Sequence, residues 1–196
     1  MTSQNGKMGG RLLAIEGSGG RSMTVAAKRL VRDLKRENVE AGICSWDASA
    51  IFFQILNGVR GIPAPSPRTL ILLYASDLAF RLRWQILPAL EEGQTVIAAP
   101  YLESVIGFGR AAGLPRLWLK NVFQFAPAPS AVWRVPERSA AVSRRTAPAE
   151  SFLEFSLSQL RGGPASWDTE EIRRGFHYHL EQLAAHGKCK TAGETP

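Results

Sequence analysis

The stretch R-L-L-A-I-E-G-S-G-G-R-S-M-T-V-A-A-K-R-L-V-R-D-L, residues 11–34, decides the fold of this chain. It starts with the apolar run 12–15, passes through a glycine-rich turn at 17–20 and continues into a segment with helical periodicity. The apolar positions of that helix are Ala27, Leu30, Val31 and Leu34. Because turn amides and a helix N-terminus attract anions, this order of strand, glycine turn and helix is the context in which a phosphate-binding loop works.

The glycine turn differs from the usual phosphate-loop pattern, G-x-x-x-x-G-K-[ST]. Gly20 is followed by a basic residue and a hydroxyl, Arg21 and Ser22, but the residue five positions before Gly20 is Ile15. Counted from Gly17, the loop is two residues short, and arginine replaces lysine with a bulkier, planar cation. Two interpretations stay open: a phosphate site, and a glycine turn that only tightens a strand–helix junction.

The residues that would form the phosphate site all lie in this turn. Arg21 is the candidate catalytic residue, and the hydroxyl of Ser22 is the candidate ligand for Mg²⁺. The candidate ligands for the phosphates of a nucleotide are Gly17, Ser18, Gly19, Gly20, Arg21 and Ser22.

The composition is that of a globular protein with an excess of positive charge. The 196 residues are 45% hydrophobic and 21% charged, which suits one domain with a sizeable core. A net charge of +7 favours anionic partners such as nucleotides or nucleic acid, although it also fits a merely soluble basic protein. Cys44 and Cys189 lie far apart and indicate no disulfide framework.

The sequence shows no sign of export or of membrane insertion. No apolar run reaches the roughly 18 residues of a membrane span, and residues 1–10 lack the apolar centre of a signal peptide. We expect a cytoplasmic protein with a loose tail at 1–10, a single domain at 11–186 and a second loose tail at 187–196.

Short apolar runs alternate with helical patterns through the rest of the chain. This alternation predicts an α/β domain in which a mainly parallel central sheet is flanked by helices. The predicted strands are 39–45, 94–99 and 131–135, and the predicted helices are 51–56, 69–90, 117–125, 137–145 and 169–185.

The strand predicted at 39–45 ends beside a candidate ligand. Along this strand Val39, Ala41 and Ile43 alternate with Glu40 and Gly42, so we expect these three apolar residues to share one face. Asp47 follows at the edge where parallel sheets bind their ligands. It is either a carboxylate that faces a ligand or the N-cap of the helix at 51–56.

Five further segments carry motifs in a fixed order. They are L-L-Y-A-S-D at 72–77, I-L-P-A-L-E-E-G at 86–93, V-I-A-A-P-Y-L-E-S at 96–104, F-A-P-A-P at 125–129 and R-R-G-F at 173–176. Through them the chain resembles the thymidylate kinases, a family of P-loop nucleoside monophosphate kinases. The corresponding family motifs are L-L-F-A-x-D-R, I-x-P-A-L-x-x-G, V-I-x-D-R-Y-x-x-S, F-A-P-x-P-D and R-x-G-Y. The resemblance extends over about residues 11–185.

The resemblance implies a fold, cofactors and an assembly. The fold is a three-layer, P-loop NTP-hydrolase-like domain, here with a reduced lid region at about 138–166. The implied cofactors are ATP and Mg²⁺, and the implied phosphoryl acceptor is dTMP. The family forms homodimers through helices beside the sheet, for which the apolar helix at 69–87 is the candidate.

The departures from the family fall on the residues that do the chemistry. The acidic residue of the family's loop is missing, and its D-R-Y motif has become Ala99-Pro100-Tyr101. Leu78 lies where the family has the arginine that holds the acceptor phosphate. Because phosphoryl transfer depends on positioned charges, we expect it to be weak or absent here, which leaves a nucleotide-binding or regulatory role.

Several residues remain candidates for a substrate site. Tyr74 and Phe108 are either rings that stack on a base or core residues, and Arg81 either replaces the lost phosphate clamp or is a solvated helix arginine. Two alternative functions stay open: an active dTMP kinase with relocated catalytic groups, and a basic nucleic-acid-associated protein. The complete set of substrate-site candidates is Asp47, Tyr74, Arg81, Tyr101 and Phe108.

Overall fold

A computed structural model of the chain describes residues 9–50, 52, 64–135, 151–161, 163–164 and 167–188. The helix predicted at 137–145 lies outside the described residues, as does the helix predicted at 51–56 except for Phe52. The lid region expected at about 138–166 is described only from residue 151 onward, with gaps.

The strands of the described residues form one parallel sheet. They are β1 (Arg11–Glu16), β2 (Ala41–Ser45), β3 (Thr95–Ala99) and β4 (Ala131–Arg134), in the spatial order β2-β3-β1-β4. Every neighbouring pair is parallel. The carboxyl ends of all four strands therefore meet at one edge of the sheet, which is where ligands bind in open α/β folds.

Helices connect the strands. They are α1 (Gly20–Arg36), α2 (Pro67–Arg81), α3 (Leu87–Glu91), α4 (Glu103–Ala111), α5 (Arg116–Val122), α6 (Phe152–Leu160) and α7 (Thr169–Lys188). A π-helical turn, Leu82–Ile86, joins α2 to α3, and within it the N–H of Leu87 donates to the carbonyl of Leu82. Pro88 explains the wider turn, because proline has no N–H for the carbonyl one α-helical turn earlier.

Helices cover both faces of the sheet. On one face α1 packs through Met23 and Ala27 against Leu13, Ile15 and Ile97. The other face carries a larger core, to which α2, α4, α6 and α7 contribute. This arrangement confirms the α/β fold predicted from the sequence, with a parallel sheet between layers of helices, and it is consistent with a P-loop NTPase-like fold.

A glycine on α7 lets this helix pack closely against α4. A Cβ atom on Gly175 would lie 3.2 Å from the Cβ of Ala111, which is tighter than ordinary contact, whereas one on Gly107 would make ordinary contact with Phe176 and His179 at 3.4 Å. The glycine of the R-R-G-F motif therefore has a packing role.

The burial along β2 differs from the expected alternation. Cys44 is the buried residue of this strand, whereas Ile43 is 40% exposed. The register places Ile43 beside Ile97, on the side of the sheet that α1 covers. Because β2 lies at the end of the sheet among the described strands, α1 covers Ile43 only in part.

Within the described ranges, no helix is both long enough and apolar enough to cross a bilayer.

Phe176 provides a test of the α4–α7 contact. Its side chain is fully buried between these helices, so Phe176→Ala should lower the free energy of unfolding by about 3–5 kcal/mol in chemical denaturation. Tyr178 lies on the same helix but is 65% exposed, and Tyr178→Ala should stay within about 0.5 kcal/mol of the wild type. Equal losses in the two variants would contradict this packing.

Candidate functional site

The predicted site residues gather at the carboxyl edge of the sheet. The turn 17–22 follows β1, Asp47 follows β2 and Tyr101 follows β3. Tyr74 and Arg81 come from α2, and Phe108 comes from α4, both of which contribute to the larger core. The parallel topology thus brings together residues that are far apart in sequence.

The connection between β1 and α1 consists of three residues, 17–19, and is fixed from two sides. The N–H of Gly17 donates to the hydroxyl of Ser104, 3.0 Å away. The hydroxyl of Ser151, at the start of α6, donates to the carbonyl of Ser18, which is buried. The connection therefore runs directly from strand to helix between the N-termini of two other helices.

The N-terminus of α1 lacks the usual capping groups. Its N-cap is Gly19, which has no side chain to bond the first amides, and the first turn contains no acidic residue. Arg21 is exposed and Ser22 is partly exposed in this turn. The first turn therefore combines the positive end of the helix dipole with one exposed cation, an arrangement that favours an anion.

The carboxylate of Glu16 is buried at the end of β1 and is fully engaged. One oxygen accepts the N–H groups of Leu102 and Glu103 at 2.8 and 3.0 Å, and the other accepts the N–H and the hydroxyl of Ser104 at 3.0 and 2.6 Å. Glu16 thereby caps the N-terminus of α4. Burial raises the pKa of Glu16, while the hydrogen bonds from Ser104 and Glu103 oppose that shift.

The other carboxylate at the start of α4 is also occupied. Glu103 binds Arg134, at the end of β4, through two short contacts: Nε to Oε2 at 2.7 Å and Nη2 to Oε1 at 2.6 Å. This paired geometry is the strong form of an arginine–carboxylate interaction. No local pattern predicts this pair, because the two residues are 31 positions apart and meet only through the sheet.

The described residues contain no preformed cluster of metal ligands. Within the described ranges, no group of three or more histidine, cysteine, aspartate or glutamate residues could hold a metal ion. The position of the family's magnesium-organising carboxylate is Ala99. Glu16 could coordinate a metal only by giving up hydrogen bonds to α4, which leaves the hydroxyl of Ser22 as an isolated candidate ligand.

Asp77 and Arg81 form a buried ion pair on α2 that anchors the loop after β2. Asp77 accepts hydrogen bonds from the N–H of Asp47, from the N–H and the hydroxyl of Ser49, and from Nε of Arg81 at 2.8 Å. Both side chains of the pair are inaccessible to solvent. Arg81 is therefore not the solvated helix arginine that was one of its two sequence interpretations.

The rest of the Arg81 guanidinium faces aromatic and thiol groups. Its centre lies 5.1 Å from the centroid of the Tyr74 ring, and its Nη1 and Nη2 atoms have no hydrogen-bond partner among the described residues. Burial raises the pKa of the nearby Cys44 thiol, against the opposing effect of the Arg81 charge. Sequence reasoning did not single out this pair, although Asp77 and Arg81 are four residues apart on one helix, a spacing at which side chains meet.

The aromatic candidates belong to the core. Tyr74, Tyr101 and Phe108 are all fully buried. The hydroxyl of Tyr74 donates toward the carbonyls of Pro100 and Tyr101, and that of Tyr101 donates to a carbonyl at 2.8 Å. Burial raises the pKa of both tyrosines.

Phe152, from α6, covers two of these rings edge-on. Its centroid lies 4.9 Å from that of Tyr74 and 5.5 Å from that of Phe108. A nucleobase could stack on Tyr74 only if Phe152 moved away. Sequence reasoning did not single out Phe152, because its segment matches no family motif and only the packing of α6 brings it to this edge.

Asp47 lies in the loop after β2 with a left-handed backbone, at φ +56°. Its Oδ1 accepts the N–H of Phe52 at 3.1 Å, and burial raises the pKa of its carboxyl group. This contact gives Asp47 a capping-type hydrogen bond, whereas the helix predicted to follow lies outside the described residues.

Comparison with known proteins points to one family. No protein-family model matches the chain. A probable thymidylate kinase of Pyrococcus abyssi is 30% identical over 128 residues, which is 62% of each chain. One from Thermococcus gammatolerans is 29% identical over 132 residues, 63% of this chain and 64% of the relative. One from Pyrococcus horikoshii is 45% identical over 58 residues, 30% of this chain and 28% of the relative. The matches thus span less than two thirds of these relatives.

The anchoring role of Asp77 can be tested by removing its charge. Asp77→Asn leaves the buried guanidinium of Arg81 without a counter-ion, so we expect unfolding in denaturant to become easier by about 3–5 kcal/mol. The matched control is Asp33→Asn, because Asp33 forms helix ion pairs with Arg29 and Arg36 at the surface. Its effect should be below about 1 kcal/mol. A loss no greater than that of the control would refute the anchoring role.

Proposed function

We propose that the chain is a divergent thymidylate kinase-like protein that keeps the scaffold of a phosphoryl-transfer enzyme but transfers phosphoryl groups weakly or not at all. The similarity to the probable thymidylate kinases supports the scaffold. The proposed role of the chain is to bind a nucleotide or a protein partner in a regulatory capacity. The proposed location is the cytoplasm.

The length of the connection after β1 is the observation that carries this proposal. A phosphate loop needs several successive amides that curve around the anion. Here three residues, 17–19, join β1 to α1, and hydrogen bonds from Gly17 to Ser104 and from Ser151 to Ser18 hold them in place. This connection is too short and too firmly held to wrap a triphosphate.

The charges around the connection support the same conclusion. Arg21 replaces the lysine of the family's loop, Ala99 replaces an aspartate and Leu78 replaces the arginine of the acceptor site. Removing one preorganised charge from a transition state commonly costs about 2–4 kcal/mol, or 10²–10³ in rate. Several such losses at once remove most of the rate enhancement that a kinase provides over the uncatalysed reaction.

Some capacity for binding anions remains in this arrangement. The N-terminus of α1 offers uncapped amides beside the exposed Arg21. These groups suit the phosphates of ATP or of another nucleotide, and they need no metal ion to do so. Binding without turnover is therefore the behaviour that we propose.

One observation favours the alternative of an active dTMP kinase. Arg81 has two guanidinium nitrogens without hydrogen-bond partners among the described residues, three residues after the position where the family holds the acceptor phosphate. If the core around Tyr74 opened, Arg81 could supply the missing charge. The alternative of a nucleic-acid-associated protein rests on the net charge of +7 alone.

Turnover and binding separate these proposals. In a coupled ADP-release assay with ATP, Mg²⁺ and dTMP, we expect a rate at least about 10³-fold below the 1–100 s⁻¹ that is typical of kinases. In calorimetry, any ATP binding should weaken in Arg21→Ala and persist in Arg29→Ala, because Arg29 lies on the same helix but beside Asp33. Robust turnover that disappears in Arg21→Ala would overturn the proposal of impaired catalysis.

We also propose that the chain forms a homodimer through α2, the π-helical turn and α3. The buried side of this unit packs on the core, while its opposite side exposes a row of large apolar residues. These exposed residues are Leu72, Phe80, Trp84 and Leu87. Their spacing places them on one stripe of the helix, and contiguous apolar stripes of this kind are typical of protein interfaces.

Light scattering after size exclusion tests the dimer. The wild type should have twice the mass of one chain at micromolar concentration. Trp84 is 67% exposed at the centre of the stripe, so Trp84→Glu should give the mass of one chain. Leu117 is equally exposed on α5, and Leu117→Glu should leave the dimer intact. A wild-type protein with the mass of a single chain would rule out this assembly.

A further inference from the structure

Among the described residues, the outer edge of β2 has no partner for backbone pairing. The carbonyl of Glu40 accepts the N–H of Thr95 and so points toward β3. Since backbone groups alternate sides along a strand, those of Ala41, Ile43 and Ser45 point away from β3. Within the described ranges no strand pairs with this side of β2. The five residues A-G-I-C-S include no lysine, proline or other residue that usually protects a free edge.

An apolar groove of about 460 Å³ lies beside this edge, between β2 and α1. Val25 and Ile43 are 59% and 40% exposed in it. Ile43 is in register with Ile97, which belongs to the core under α1. The groove therefore continues that core outward, at the position that a further strand would cover.

The rim of the groove is basic. Its charged lining residues are Lys28 and Arg32, and it has no acidic lining residue. The one acidic residue of α1 is Asp33, whose ion pairs are with Arg29 and Arg36. Among the described residues, neither Lys28 nor Arg32 has an anionic partner within 4.0 Å. Two cations thus flank an apolar floor next to a free strand edge.

We propose that this edge and groove bind an extended segment of a partner protein that presents both apolar and acidic side chains on one face, at every second residue. The segment adds a strand to β2 through main-chain hydrogen bonds, which is a common mode of peptide recognition. Its apolar side chains fill the groove over Val25 and Ile43, and its carboxylates meet Lys28 and Arg32. This inference does not depend on the proposed loss of phosphoryl transfer.

Nucleic acid fits the groove less well. It would find cations, but the lining contains no aromatic ring on which a base could stack. The apolar floor and the basic rim together favour an acidic, apolar protein segment.

Synthetic peptides with a fluorescent label test the proposal by anisotropy with the full-length chain. The probe has about eight residues, the length of a strand, with isoleucine and glutamate taking turns at every second position and threonine at the positions between. One control peptide has lysine in place of glutamate. A second control has the probe's side chains with N-methylated alternate amides, which cannot pair with β2. We expect binding of the probe and at least about tenfold weaker binding of both controls.

Variants of the protein locate the binding surface. Lys28→Glu combined with Arg32→Glu should weaken binding of the probe at least about tenfold. Arg29→Glu combined with Arg36→Glu makes the same change in charge on the neighbouring flank of α1, and should change the affinity less than about twofold. Thermal unfolding confirms that each variant is folded before its affinity is compared.

Several results would overturn the proposal. They are absence of probe binding, equal binding of the N-methylated peptide, and equal effects of the two double variants. Binding of mixed-sequence single-stranded DNA that competes with the probe would assign the groove to nucleic acid instead. Loss of self-association in the Lys28/Arg32 variant would assign it to a second copy of the chain.

Discussion

Four hydrogen bonds converge on the buried carboxylate of Glu16, and the geometry of the carboxyl edge depends on them. They join the end of β1 to the first turn of α4, and Ser104 extends the link to the N–H of Gly17. A buried carboxylate is stable only when its lone pairs are satisfied. The position of Glu16 therefore fixes the direction in which the chain leaves β1, and with it the course of the glycine connection.

Asp77 has the corresponding role on the other side of the edge. It accepts hydrogen bonds from the loop after β2 and from the guanidinium of Arg81. One side chain on α2 therefore fixes the position of that loop. Together with Glu103, which is paired with Arg134, Glu16 and Asp77 are thus engaged in structural contacts that hold this edge in place.

Aromatic packing adds a second constraint at the same edge. Phe152 lies against Tyr74 and Phe108, and Ser151 at the start of the same helix holds Ser18. One helix thus contacts both the buried aromatic rings and the connection between β1 and α1.

The sequence by itself determined the α/β class, the first strand–turn–helix unit and the resemblance to thymidylate kinases, because periodicity and motif order are local properties of the chain. It located most elements to within a few residues, but it left Tyr74 and Arg81 between two interpretations each. Only the tertiary structure decided that both are buried, that Ile43 is exposed on an edge strand and that Phe152 covers Tyr74. The reason is physical: burial, pairing and the occupation of a pocket depend on residues that are distant in sequence and meet only when the sheet and its helices pack.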